Sequence, residues 1–131
     1  MKVLLYAKDA DGAGIRLQRV IEAFVLKDRL EVYRDIDNLS RRFRRPKGDV
    51  DRIILVLLTT SPQDLQSMVP IQKLLTDVRI IMVLPDRSED TVKAGHRFLP
   101  RFVTYLDNDF VEIGAVLNKM LRYPLPGLPF E

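Results

Sequence analysis

The chain has no cysteine in 131 residues. That removes disulfides, thiolate nucleophiles and cysteine-based zinc sites from consideration, and it fits a cytoplasmic chain. Histidine occurs once, as His96. Without a second histidine or a cysteine near it, it makes a poor metal ligand or catalytic base. No apolar run approaches the roughly 18 residues needed to cross a bilayer. The N-terminal MKVLLYAKDADG has one lysine before a short apolar run, then a charge, and no small-residue cleavage site. It reads as a first strand rather than a targeting segment. Neither a full GxGxxG nor a Walker lysine follows it.

What remains is ordinary globular material. Hydrophobic residues make up 47% and charged residues 30%, enough apolar mass for one core of this length. The net charge of +3 and the pI near 9.3 are mildly basic, too weak alone to imply nucleic acid. A methionine start fits a complete chain.

Five segments have strand character: 2–7 (KVLLYA), 30–36 (LEVYRDI), 52–58 (RIILVLL), 78–84 (VRIIMVL) and 101–106 (RFVTYL). The third and fourth are almost continuously apolar, as strands covered on both faces are. The second alternates, which suits an edge. Helical patterns separate them. Residues 13–26 carry an apolar stripe of Ile15, Leu17, Val20, Ile21, Phe24 and Val25. A short, very basic helix is expected over 38–45. Ser61-Pro62 opens a third helix, and Pro70 breaks it into two pieces. Ser88 caps a fourth over 89–98. Asp109-Phe110-Val111-Glu112 resembles a capping box at the start of a fifth.

Strand and helix thus alternate five times. This predicts a three-layer α/β sandwich, with a five-stranded parallel sheet in flavodoxin-like order 2-1-3-4-5 and helices on both faces. One domain is expected over 1–123, followed by a proline-rich tail over 124–131 that cannot be helical.

In such sheets ligands sit beyond the carboxyl ends of the strands. That selects Asp9 and Asp11 after the first strand, Thr59, Thr60 and Ser61 after the third, Asp86 after the fourth and Asn108 after the fifth. Asp9, Asp11 and Asp86 are candidates for holding an ion or lining a crevice; as alternatives, Asp9 or Asp11 caps the first helix and the aspartates satisfy turn backbone. Gly12-Ala13-Gly14 could cradle a phosphate, or serve only the turn. Thr60 and Asn108 would line the same crevice.

The order, the size and the closing passage Tyr105-Leu106-Asp107-Asn108-Asp109-Phe110 before an amphipathic helix resemble the response-regulator receiver domains of bacterial two-component signal transduction. The resemblance covers nearly the whole chain and rests on pattern. It implies an acidic pair after the first strand, a phospho-accepting aspartate closing the third, a hydroxyl residue closing the fourth and a lysine after the fifth. Here Asp9 and Asp11 are not adjacent. Thr59 stands in the aspartate position, Leu84 or Pro85 in the hydroxyl position and Asn108 in the lysine position. A threonine hydroxyl is a weak nucleophile unless a base activates it. The expectation is therefore a pseudo-receiver: a non-enzymatic regulatory protein with no cofactor. It would bind a protein partner or a second copy of itself through the face built from 89–122. Two alternatives stay open. One is a flavodoxin-like protein binding a small ligand or nucleotide in the strand-end crevice.

The other alternative rests on Arg41, Arg42, Arg44, Arg45 and Lys47, five basic residues in seven with no acid among them. On a helix, Arg41, Arg44 and Arg45 share a face. Such a patch could meet nucleic-acid phosphates or an acidic protein surface. It could equally be a solvated face, with Phe43 anchoring the helix to the sheet. A protein partner ranks above nucleic acid here, and no membrane contact is expected.

Overall fold

Ile53–Leu58 (β3) shows how the sheet is built. All six side chains are buried. Ile53, Leu55 and Leu57 enter one apolar cluster, while Ile54, Val56 and Leu58 enter another. Side chains alternate across a strand, so a strand covered on both faces must be apolar at every position. Arg79–Leu84 (β4) follows the same rule and is buried throughout. The computed structural model describes residues 2–9, 11–44 and 53–122.

Lys2–Tyr6 (β1), Leu30–Tyr33 (β2) and Phe102–Tyr105 (β5) complete a five-stranded sheet in the order β2-β1-β3-β4-β5. Every pairing is parallel, with Leu5 opposite both Val32 and Val56, and Val56 opposite Ile81. Both edge strands are mostly half-buried, as strands with one neighbour are.

Among the described residues, five α-helices cover the two faces. Gly12–Glu22 (α1) and Val111–Arg122 (α5) lie together on one, burying Leu17, Ile21, Ile113 and Leu117. Ile36–Phe43 (α2), Pro62–Met68 (α3) and Glu89–His96 (α4) cover the other. The expected break near Pro70 is present: a 3₁₀ stretch, Val69–Leu75, continues from α3.

Element boundaries moved by a few residues, for local reasons. The second strand stops at Tyr33, because the Asp35 carboxylate accepts from the Asn38 N–H (2.8 Å) and starts α2 at Ile36. The first helix ends at Glu22, and Phe24 is 44% exposed rather than fully in the core. Its ring lies where a side chain at Gly114 would otherwise stand. Asp109 accepts from the N–H of Val111, two residues on, which is an Asx-type turn rather than the expected capping box. The tail over 124–131, together with Arg45 and Lys47, lies outside the described residues.

Candidate functional site

Thr59 ends the third strand's path, as its sequence position implied. It is fully buried. Its N–H and its hydroxyl both donate to the Val83 carbonyl, at 3.0 and 2.6 Å. The residue thus extends the β3–β4 ladder by one rung and offers no group to the surface. The next residue behaves differently. Thr60 is exposed, and both its N–H (3.1 Å) and its hydroxyl (2.6 Å) donate to Asp64 Oδ2.

Asp64 is the residue that sequence reasoning missed. It stands in the first turn of α3 and is 8% exposed. Its own N–H donates to the N-cap hydroxyl of Ser61 (3.1 Å). Ser61-Pro62-Gln63-Asp64 therefore has the S-x-x-D form of a helix start. That signal could have pointed to the carboxylate, but not to its burial against the strand end. The ammonium of Lys8 lies 3.8 Å from Oδ1.

The other strand-end residues do not gather around it. Asp11 occupies the N-cap position of α1 without a side-chain cap bond. Asp9 is exposed, and its backbone carbonyl accepts from Arg34 (2.9 Å). Asp86 accepts from the Ser88 N–H (2.9 Å). That bond, with the Ser88 and Thr91 side chains, holds its carboxyl below the ordinary value. Asn108 donates to the Thr104 hydroxyl (2.7 Å). Arg87 pairs with Asp107 (2.6 Å) and stacks over the Tyr105 ring, 4.3 Å from its centre. Among the described residues no three acidic, histidine or cysteine side chains converge as a metal site would require. Gly12 has a φ of +55°, and Gly14 lies close under the Asp9 carbonyl. Both glycines thus have turn and packing reasons to be there.

The basic stretch divides. Arg42 turns inward, its side chain only 10% exposed, and meets Glu31 of β2 at 2.8 Å. Burial raises the Glu31 carboxyl. The Tyr33 hydroxyl, Arg42 and Lys2 outweigh it and hold the group below its usual range. Arg41 donates to Asn38 (3.2 Å) and Arg44 to Ser40 (3.0 Å), both exposed. Phe43 is buried and fixes the helix to the sheet as expected. Of the described arginines in the stretch, two face outward and one is committed to the sheet edge. His96 is an exposed residue at the end of α4.

A cleft of about 300 Å³ opens at the carboxyl ends of β1 and β2, against α3. Tyr6, Lys8, Arg34, Asp35, Asp64 and Ser67 are among its lining. None of Asp9, Asp11, Thr60, Asp86 and Asn108 lines this cleft.

No described helix is long and apolar enough to cross a membrane. The sequence matches no protein-family model and no curated protein. Solved structures do match. One is a pilus assembly-related protein from Burkholderia pseudomallei, 18% identical, covering 95% of this chain and 88% of that one with a TM-score of 0.56. At that identity the likeness establishes the shared fold: a three-layer α/β sandwich with a five-stranded parallel sheet in flavodoxin-like order.

Proposed function

We propose that this protein is a receiver-like regulatory module that acts by protein contact and does not take up a phosphoryl group. One observation carries the reading. The position that would hold the accepting carboxylate is occupied by a buried threonine whose hydroxyl is spent on the Val83 carbonyl. Among the described residues the hydrogen bond of that hydroxyl goes to a carbonyl and not to an activating base, and no three acidic side chains converge.

Incubation with acetyl phosphate and Mg²⁺ tests the chemistry. The intact mass is expected to stay unchanged, and an added phosphoryl group on any aspartate overturns the reading.

The contact surface proposed is the one built from α4, β5 and α5. It carries Leu99, 74% exposed, and Val111, 67% exposed. Leu99 also has a φ of +55°, a conformation a leucine enters at a cost of about 1–2 kcal/mol. A second copy or a protein partner covering these residues would remove apolar surface from water. The neighbour's description as pilus assembly-related is in keeping with work inside a larger assembly. For the self-association case, sedimentation velocity should show a concentration-dependent dimer that Leu99→Glu converts to monomer. A wild-type monomer at high concentration leaves the hetero-partner as the surviving form of the reading. A dimer that Leu99→Glu leaves intact excludes this face.

A further inference from the structure

The strand-end cleft contains two polar atoms whose hydrogen bonding is incomplete. Tyr6 is 3% exposed and lines the cleft, yet its hydroxyl has no hydrogen-bond partner among the described residues. Asp64 Oδ2 is saturated by Thr60, but Oδ1 accepts no hydrogen bond there. Its one cationic neighbour, the 63% exposed side chain of Lys8, stands at 3.8 Å, beyond hydrogen-bond length. No buried side-chain nitrogen or oxygen among the described residues lacks a partner, so both atoms are reached by solvent through the cleft, which thus presents an accessible acceptor and an accessible phenol to a ligand.

Three other lining side chains already have partners, and Gln63 contributes an exposed amide. Arg34 spends one nitrogen on the Ala7 and Asp9 carbonyls (3.0 and 2.9 Å) and another on Gln18 (3.3 Å). Both Asp35 oxygens accept from Asn38. The Ser67 hydroxyl donates to the Asp64 carbonyl (2.6 Å).

We propose that this cleft is a binding site for a guanidinium group, which donates to Asp64 Oδ1 and to the Tyr6 oxygen and displaces Lys8. The proposal rests on the cleft alone and is independent of the interaction reading above. The chemistry follows from what is open. A carboxylate oxygen with no donor calls for a cation rather than an anion. Burial first, then the fields of Asp64, Asp35 and Asp9, keep the Tyr6 phenol above its ordinary value, so it stays a neutral hydroxyl. A metal ion would need more ligands than this lone oxygen. An ammonium is already present in Lys8 and does not reach. A planar fork of donors can serve a carboxylate and a phenol at once.

The group could come from a free small molecule or from an arginine side chain, and the test separates the two. Amide chemical shifts would be followed during titration with methylguanidinium, with the tripeptides Gly-Arg-Gly and Gly-Lys-Gly, and with urea and KCl as neutral and ionic controls. The expected result is saturable shifts clustered at Tyr6, Lys8, Arg34 and Asp64 with the guanidinium compounds only. Tighter binding of Gly-Arg-Gly than of methylguanidinium assigns a peptide-borne arginine; the reverse assigns a free ligand. Tyr6→Phe removes one oxygen and should weaken binding about five- to tenfold. Asp64→Asn should weaken it at least about tenfold. Lys8→Ala removes the competitor and should tighten binding about two- to threefold, an effect that a purely structural role for these residues would not produce. Shifts matched by KCl or urea, shifts scattered away from the cleft, or unchanged affinity in Tyr6→Phe would each overturn the assignment.

Discussion

Thr59→Asp is expected to lose about 3 kcal/mol or more of stability at neutral pH, and to remain unphosphorylated. The substitution supplies the carboxylate that a receiver would have at this position. The site, however, is fully buried, and the native hydroxyl points at the Val83 carbonyl from 2.6 Å. An ionised carboxylate cannot donate to that oxygen and would face it as a like partial charge. No cation stands within reach among the described partners of Thr59. The new side chain therefore escapes by protonating, which raises its folded-state pKa above the unfolded value of about 3.9. The sign follows from linkage. Below about pH 4 the acid is neutral in both states and can donate to Val83, so the penalty is small. As pH rises from there towards the raised folded value, the unfolded state sheds its proton first and stability falls. Urea denaturation at about pH 4 and pH 7 should show the gap to wild type widening with pH. Thr59→Val is the control. It keeps the N–H bond to Val83 and loses only the hydroxyl, at about 1 kcal/mol and with no pH dependence. A Thr59→Asp variant as stable as wild type at pH 7, or one that gains a phosphoryl group, would show that the strand end is more open than this geometry allows.

How far the sequence could be read depends on the range of the forces involved. The sheet order was legible because continuous apolar runs such as Ile53–Leu58 have one good explanation, burial on both faces. Helix starts were legible where the cap was local, as at Ser61 and Ser88. One slipped: the second helix, expected from 38, starts at Ile36. Asp35 rather than a later residue sets the start of α2, because its carboxylate takes both donors of Asn38.

The site resisted for a different reason. Tyr6 counts as an apolar strand residue in any pattern, and only the packing of α2 and α3 decides that its hydroxyl opens on a cleft. Asp64 looks like an ordinary first-turn acid until Thr60 folds back on it. Arg42 sat in a window without acids, yet its partner Glu31 lies 11 residues upstream on the neighbouring strand. Counting charges within a window does not reach from a helix back to the strand that precedes it.

Gly14→Ala is the second large effect, at about 3 kcal/mol of destabilisation. A methyl group at this position would stand 2.2 Å from the Asp9 carbonyl oxygen and 3.5 Å from the Ala7 side chain. The first contact is with backbone, so no rotamer change relieves it. Either the loop after β1 or the first turn of α1 must move. The loop is held in turn by Arg34, which donates to both the Ala7 and Asp9 carbonyls. Displacing Asp9 therefore loosens the tie between β1 and the residue following β2 as well.

Gly12 and Gly95 rank lower for stated reasons. Gly12 has open space around it and a φ of +55°, so alanine there costs only the left-handed backbone, about 1–2 kcal/mol. A methyl at Gly95 would meet both Leu84 methyl groups, at 2.8 and 2.9 Å, and a side-chain end can shift more readily than a backbone carbonyl. Thermal or urea unfolding of the three alanine variants should give the largest loss at Gly14. Combining Gly14→Ala with Arg34→Ala should cost less than the sum of the two, because both act on the same carbonyl. Additive costs would place the strain in α1 instead. The same variants bear on the glycines as a phosphate cradle. If close packing under Asp9 is the whole reason for Gly14, inorganic phosphate should leave the wild-type unfolding midpoint where it is, beyond the shift that sulfate at equal ionic strength produces.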